Sequence, residues 1–235
     1  MSRLVKEDFG KLCDFIRAYC IKAVADSKKS KDLLSAYHKK YLAYLIIVEE
    51  LHLHVGDAAP DSVMQQSQYD FLQESCSDVG QAFFLMFHGC YKGSKLLLRS
   101  SIENFLKCVG MDKYPDLPTT KSVYEIFDKT KTVSAFVHGK EKLHSRLHNE
   151  YATLCQDVHT ADKNHMASIS GLSHFPSFET IEANTIVKIA QRLVSIYITV
   201  LALKYNQIYH SQKFFYKEIC NETIIKEYRR EVHNV

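Results

Sequence analysis

Glycine and proline are scarce in this chain, 8 and 4 residues among 235. Folds built from many short strands need turn-forming residues at short intervals, so the scarcity favours long helices with few connections. Also missing are the phosphate-binding G-x-x-x-x-G-K-[ST], the dinucleotide fingerprint G-x-G-x-x-G, the nucleophile elbow G-x-S-x-G and any zinc-finger spacing. Their absence sets aside P-loop NTPases, Rossmann oxidoreductases and the common serine hydrolases as first choices. There is no sustained heptad pattern, no internal repeat and no low-complexity segment. The 7 cysteines, Cys13, Cys20, Cys76, Cys90, Cys108, Cys155 and Cys220, form no C-x-x-C pair. An odd number scattered through apolar stretches predicts buried thiols in a reducing compartment.

Charge of one sign is likewise in short supply. A net +3 is too small for bulk electrostatics to argue for a nucleic-acid partner. Lys6, Glu7 and Asp8 fall where a signal peptide needs its apolar core. The longest apolar run, Leu193 to Leu203, is closed off by Arg192 and Lys204 and is about half of what a membrane span requires, so it predicts a buried core helix. These readings predict a soluble, cytoplasmic chain with no membrane partner.

What is present is helical periodicity. Phe9, Leu12, Cys13, Ile16, Tyr19 and Cys20 recur at steps of three and four and predict a helix over Lys6–Ala25. A second helix is expected from Lys31 to Val55, with Leu34, Tyr37, Tyr41, Tyr44, Leu45, Val48 and Leu51 on its buried side and Gly56 ending it. Gln81 to Val109 then reads as an apolar helix, a Gly-bearing corner at His88–Gly93, and a second helix closed by Gly110. So short a corner forces the two into an antiparallel hairpin. The first of these helices is expected to start between Asp61 and Ser67 and run to Phe87, and Gly80 inside it predicts close packing against a neighbour. Ser122 and Glu125 form a capping-box pattern opening a short helix. Lys140–Val158 is a more polar helix, and His159–Phe175 has no usable period. A long helix capped at Pro176–Ser177 is expected to reach Tyr209, with a last one running from Ser211 into KEYRREVHNV. The expected fold is all-α: a multi-helix bundle of about seven to eight helices built around a central antiparallel hairpin, in one domain over residues 1–235.

Few residues suggest chemistry. Arg99 and Glu103 lie four apart and share a helix face. They read either as an intrahelical ion pair or as a polar site whose guanidinium grips a phosphate or carboxylate. Tyr151, Cys155 and His159 also share one face. His159 is placed to act as acid, base or phosphate ligand, or merely to cap a helix end. His144 and His148 have the spacing of a metal pair but no third ligand is indicated, so they read as a solvated polar face. Basic clusters stand at Lys28, Lys29 and Lys31, at Lys39 and Lys40, and at Arg229 and Arg230; Tyr37, Tyr41 and Tyr228 near them are placed either to stack on bases or simply to border solvated helix ends.

The stretch YKGSKLLLRSSIENFLK (Tyr91 to Lys107), followed by NEYATLCQDVH (Asn149 to His159), resembles uncharacterised bacterial helical proteins related to the HEPN superfamily, many of them linked to phage defence and toxin systems. The resemblance implies a helical bundle, frequent dimerisation and, in active members, metal-independent RNA cleavage with no cofactor. Active members usually carry an arginine and, after a short spacer, a histidine. Here the nearest case is Arg229 to His233, with three residues between. On this reading Arg99, Glu103 and His159 form a ribonuclease site only if the fold brings them together, and Tyr151, Arg229, Arg230 and His233 are candidates for RNA or phosphate binding. The expected partners are RNA, a protein from a defence operon, or a second copy of the chain. The alternative is a non-catalytic helical subunit that binds a partner protein.

Overall fold

Helix accounts for nearly all the regular structure in the computed structural model, which describes residues 27–56, 63–156 and 177–234. Nine α-helices occur among them: α1 Lys28–His52, α2 Gln66–Phe87, α3 Tyr91–Gly110, α4 Val123–Thr130, α5 Glu141–Gln156, α6 Thr180–Lys204, α7 Asn206–Ser211, α8 Phe214–Thr223 and α9 Arg229–His233. Val55 and Met64 form an isolated bridge rather than a strand. The fold class is therefore all-α. The helix expected over Lys6–Ala25 and the stretch His159–Phe175 lie outside the described residues.

Helices α2 and α3 pack as an antiparallel hairpin whose register can be read from its cross-helix bonds. Ser94 Oγ donates to the Ala82 carbonyl (2.8 Å), Ser75 Oγ to the Ser101 carbonyl (2.9 Å), and Gln68 Nε2 to the Cys108 carbonyl (3.5 Å). Small side chains at these crossings let the two backbones approach, and each buried hydroxyl has a carbonyl to satisfy it. Only His88–Cys90 form the corner, shorter than the sequence suggests. Gly89 adopts φ +77°, and a Cβ there would collide with the Ser177 backbone. Both constraints require glycine. Tyr91, one residue after the corner, donates its hydroxyl to the Glu179 carbonyl (3.1 Å) and so ties the start of α6 to the hairpin.

Two further helices close on the hairpin through tyrosines. Tyr44 of α1 donates to Ser75 Oγ (2.9 Å), and Ser101 Oγ meets the Tyr197 hydroxyl of α6 at 3.0 Å. Tyr197 also stacks on Phe105, ring centroids 4.2 Å apart. A Cβ on Gly80 would strike the Tyr41 hydroxyl, which accounts for the small residue expected there. Gly110 is the last residue of α3, as expected, and a Cβ there would run into Leu117, with Thr130 close behind. Helix α6 is long and apolar enough to cross a membrane by length and composition, yet most of that length is buried inside the molecule, as the Leu193–Leu203 run predicts.

The C-terminal third departs from the expected long helices. The helix from residue 180 stops at Lys204 and restarts at Asn206, because Asn206 Nδ2 takes the Ala202 carbonyl (3.3 Å) that a continuing backbone would use, and also bonds Val232 O (2.8 Å). Similarly, the last helix breaks after Thr223, where the Ile225 N–H donates to Thr199 Oγ1 of α6 at 3.0 Å. A side chain thus replaces an intrahelical backbone partner at each break, Asn206 itself at the first and Thr199 of α6 at the second.

Because Ser75 stands between Tyr44 and the Ser101 carbonyl with no access to water, Ser75→Ala should cost about 1–3 kcal/mol in urea unfolding. Adding Tyr44→Phe to that variant should cost less than the same change in the parent chain, since the two share one bond.

Candidate functional site

The outer flank of α3 carries Arg99 and Glu103, both half-buried, with the guanidinium Nη2 3.4 Å from Glu103 Oε1. The expected pairing is present, but a third residue stands between them. Tyr151, on α5, accepts from Arg99 Nε at 2.7 Å and donates to Glu103 Oε1 at 2.9 Å. The Arg99 guanidinium carbon lies 5.1 Å from the Tyr151 ring centroid. Burial, reinforced by the Glu103 carboxylate, pushes the Tyr151 phenol well above its ordinary value despite the opposing arginine. It stays protonated and acts as a fixed donor. The arginine keeps guanidinium donors that neither partner uses.

The ring of Tyr151 faces a hollow of about 810 Å³ between α4 and α5. Ser122 sets the start of α4 by accepting from the Glu125 N–H (3.4 Å), half of the expected capping box. That orientation puts Phe127 at the centre of the hollow's wall. Its ring meets those of His144, His148 and Tyr151 edge-on, at 5.6, 5.0 and 5.3 Å. Phe136, from the α4–α5 connection, closes on His144 at 5.1 Å. Asp128, Lys131 and Glu141 also line the hollow.

His144 and His148, which read from sequence as a solvated polar face, therefore belong to this wall. Thr130 gives its own proton to the Ile126 carbonyl (2.7 Å), so it accepts from His144 Nε2–H (3.1 Å). Burial first, then the neighbouring His148, lowers the His144 pKa to about 4, and this imidazole is neutral at physiological pH. The sequence presents His144 with His148, and Tyr151 with Cys155 and His159, as separate groups. Joined, residues 144, 148, 151 and 155 are one helical stripe, and that spacing was the available signal.

His159 lies outside the described residues. Arg229, Arg230 and His233 do not line the hollow. Arg229 donates to the carbonyls of Ile224 (3.3 Å) and Glu222 (3.5 Å), closing the end of α8. His233 Nε2 meets Asn221 Oδ1 at 3.0 Å, and Arg230 is exposed. Tyr37 is fully buried, stacked on Phe83 with its hydroxyl on the Val79 carbonyl (2.9 Å), and Tyr228 is 5% exposed, so neither can stack on a base. Two basic clusters do converge: Lys39 pairs with Glu222, and Arg229 lies close enough to add to the repulsion felt by Lys40. Among the described residues, no three His, Cys, Asp or Glu side chains gather as a metal site. Comparison with family models, with curated proteins and with solved structures returns no match.

The depressed His144 pKa has a direction that can be checked. Unfolded, the group takes its proton near 6.5; folded, near 4. Between those values the unfolded chain binds more protons, so stability is full above about 6.5 and declines as pH falls toward 4. His144→Gln should flatten that part of a melting-temperature profile, and NMR titration of the His144 ring should place its midpoint well below those of exposed histidines.

Proposed function

We propose that this protein is an RNA-binding helical effector of the bacterial defence or toxin type, taking an unpaired base of a single strand into the hollow between α4 and α5. The observation that carries the reading is the hollow's wall, in which the rings of Phe127, His144, His148 and Tyr151 crowd together beside a volume of about 810 Å³. Every base offers a π face, and aromatic walls take up unpaired bases with little sequence preference. A neutral His144 suits an uncharged ring better than a phosphate. Arg99, oriented by Tyr151 and Glu103, and Lys131 at the hollow supply cations for the flanking backbone. The resemblance of Tyr91–Lys107 and Asn149–His159 to HEPN-related proteins supports the defence setting. Cleavage on this reading falls to His159, acting on the ribose 2′-hydroxyl or the leaving oxygen, with Arg99 stabilising the charge that develops on phosphorus.

A second reading, a non-catalytic subunit that binds a partner protein, is favoured by one observation. Phe214 and Phe215 at the start of α8 are 71% and 73% exposed, their rings adjacent at 5.8 Å.

The two are separated by fluorescence anisotropy with labelled single-stranded RNA 12-mers. Tyr124 and His148 line the hollow from exposed positions, so replacing either with Ala should preserve the fold. On the RNA reading each replacement weakens binding by roughly tenfold. Absence of micromolar binding by the parent chain, or equal binding by both variants, sinks that reading. Cleavage is tested by incubating the same RNA with EDTA; it should be lost in His159→Ala while binding survives, and reduced in Arg99→Ala by more than the accompanying weakening of binding accounts for. A stoichiometric protein complex that persists in those variants and is lost on Phe214→Ser with Phe215→Ser supports the second reading instead.

A further inference from the structure

Helix α5 borders a second cavity on its other flank. Of about 390 Å³, it lies between α5 and α6 and is lined by Arg146, Glu150, Lys188, Arg192, Ser195 and, from the segment after α8, Ile225. Along α5, positions 146 and 150 are turned well away from 144, 148 and 151, so the two cavities do not share a wall of that helix. Their charges also differ. The hollow has Lys131 against Asp128 and Glu141 with a neutral His144, whereas the second cavity has three cations against Glu150 alone.

Two of the three cations are held in place by carboxylates. Glu150, 14% exposed at its side chain, grips Arg192 through both carboxylate oxygens, with Nη2–Oε2 at 2.9 Å and a second bond from Nε. That geometry spends one edge of the guanidinium and leaves its remaining donors available. Arg146 is steadied from outside the cavity by Glu227 at 2.8 Å. Even counting Glu227, the surroundings keep an excess positive charge, and Lys188 is exposed at the rim with no ion pair to a described carboxylate. Ser195 adds a hydroxyl, and Ile196 and Ile225 add apolar surface.

We propose that this cavity binds a small phosphomonoester. Arg192 and Arg146 take the phosphate oxygens as fixed forks, Lys188 closes over them from the rim, and Ser195 donates a neutral bond. The apolar side chains meet the ligand's non-ionic part. A volume of about 390 Å³ exceeds what bare phosphate needs and falls in the usual range for small-molecule sites. This site does not depend on the RNA reading.

The test is isothermal titration of the full chain at constant ionic strength with inorganic phosphate, glucose 6-phosphate and ribose 5-phosphate, using glucose and ribose as uncharged controls that carry no base for the aromatic hollow. The phosphomonoesters should bind and the controls should not. Lys188→Ala should weaken binding by about tenfold or more, while Lys188→Arg retains most of it. Lys188 is exposed, so the Ala variant leaves the fold intact, which its unchanged melting temperature without ligand will verify. His148→Ala, in the other cavity, should bind the phosphomonoesters as the parent does, which separates this site from the RNA reading. No binding of either phosphomonoester at millimolar concentration overturns the proposal. So does equal binding by Lys188→Ala, or a loss in that variant confined to RNA, which would make the cavity a backbone contact only.

Discussion

A chain of buried hydroxyls sets the positions of four helices at once. Tyr44 reaches Ser75, Ser75 reaches the backbone of α3 at Ser101, and the Ser101 side chain meets Tyr197. Serine at two of the three hairpin crossings allows close approach, but a buried hydroxyl without a partner costs about as much as several methylenes contribute. The hairpin can thus close tightly only where α1 and α6 each deliver a tyrosine to the same point. A slip in register would bury unsatisfied oxygens as well as misalign apolar side chains. That makes the polar contacts a specification of the fold more than a source of its stability, which comes from the surrounding apolar core.

With α3 clamped on its inner face, its outer flank is fixed in space, and α5 meets it there. Tyr151 is the joint, its hydroxyl engaged by Arg99 and Glu103 and its ring forming part of the hollow's wall. Each function of that side chain constrains the other. The hydroxyl bonds hold the ring, and the ring's contact with Phe127 holds the hydroxyl. Helix α5 also carries Glu150, which orients Arg192 of α6 on the opposite flank. One helix of ordinary polarity therefore organises two cavities of different electrical character.

What was legible in the sequence follows from how local its cause is. Periodicity placed α1, α2, α3 and α5 because the buried side of a helix repeats within the helix itself. Arg99 with Glu103 was legible for the same reason. Tyr151 between them was not, since the two stretches are joined only by the packing of α3 on α5. The breaks at Tyr205 and Ile224–Ile225 escaped because each involves a distant partner, the Val232 carbonyl for the Asn206 side chain and the Thr199 hydroxyl for the Ile225 N–H. The hollow escaped because its centre is Phe127, on a different helix from the histidines it meets. At Tyr37 two local signals conflict, since its basic neighbours suit a stacking surface while its place on the apolar stripe predicts burial; the stripe prevails, and the side chain lies wholly inside.

Charge decides which cavity can take what. At a separation of about 6 Å and an effective dielectric of about 20, one like-charge pair costs about 3 kcal/mol, and an opposite pair gains as much. A phosphate pushed into the hollow meets Asp128 and Glu141 with only Lys131 to offset them, because His144 has lost its proton to burial. The net effect opposes entry, so a nucleic-acid strand approaching this face would be driven to insert its base and leave its backbone at the rim. Between α5 and α6 the same arithmetic runs the other way, since Arg146, Lys188 and Arg192 face Glu150 alone within the cavity. On the two proposed readings the aromatic hollow suits a base and the cationic cavity a phosphate, and neither could substitute for the other without reversing the sign of its lining.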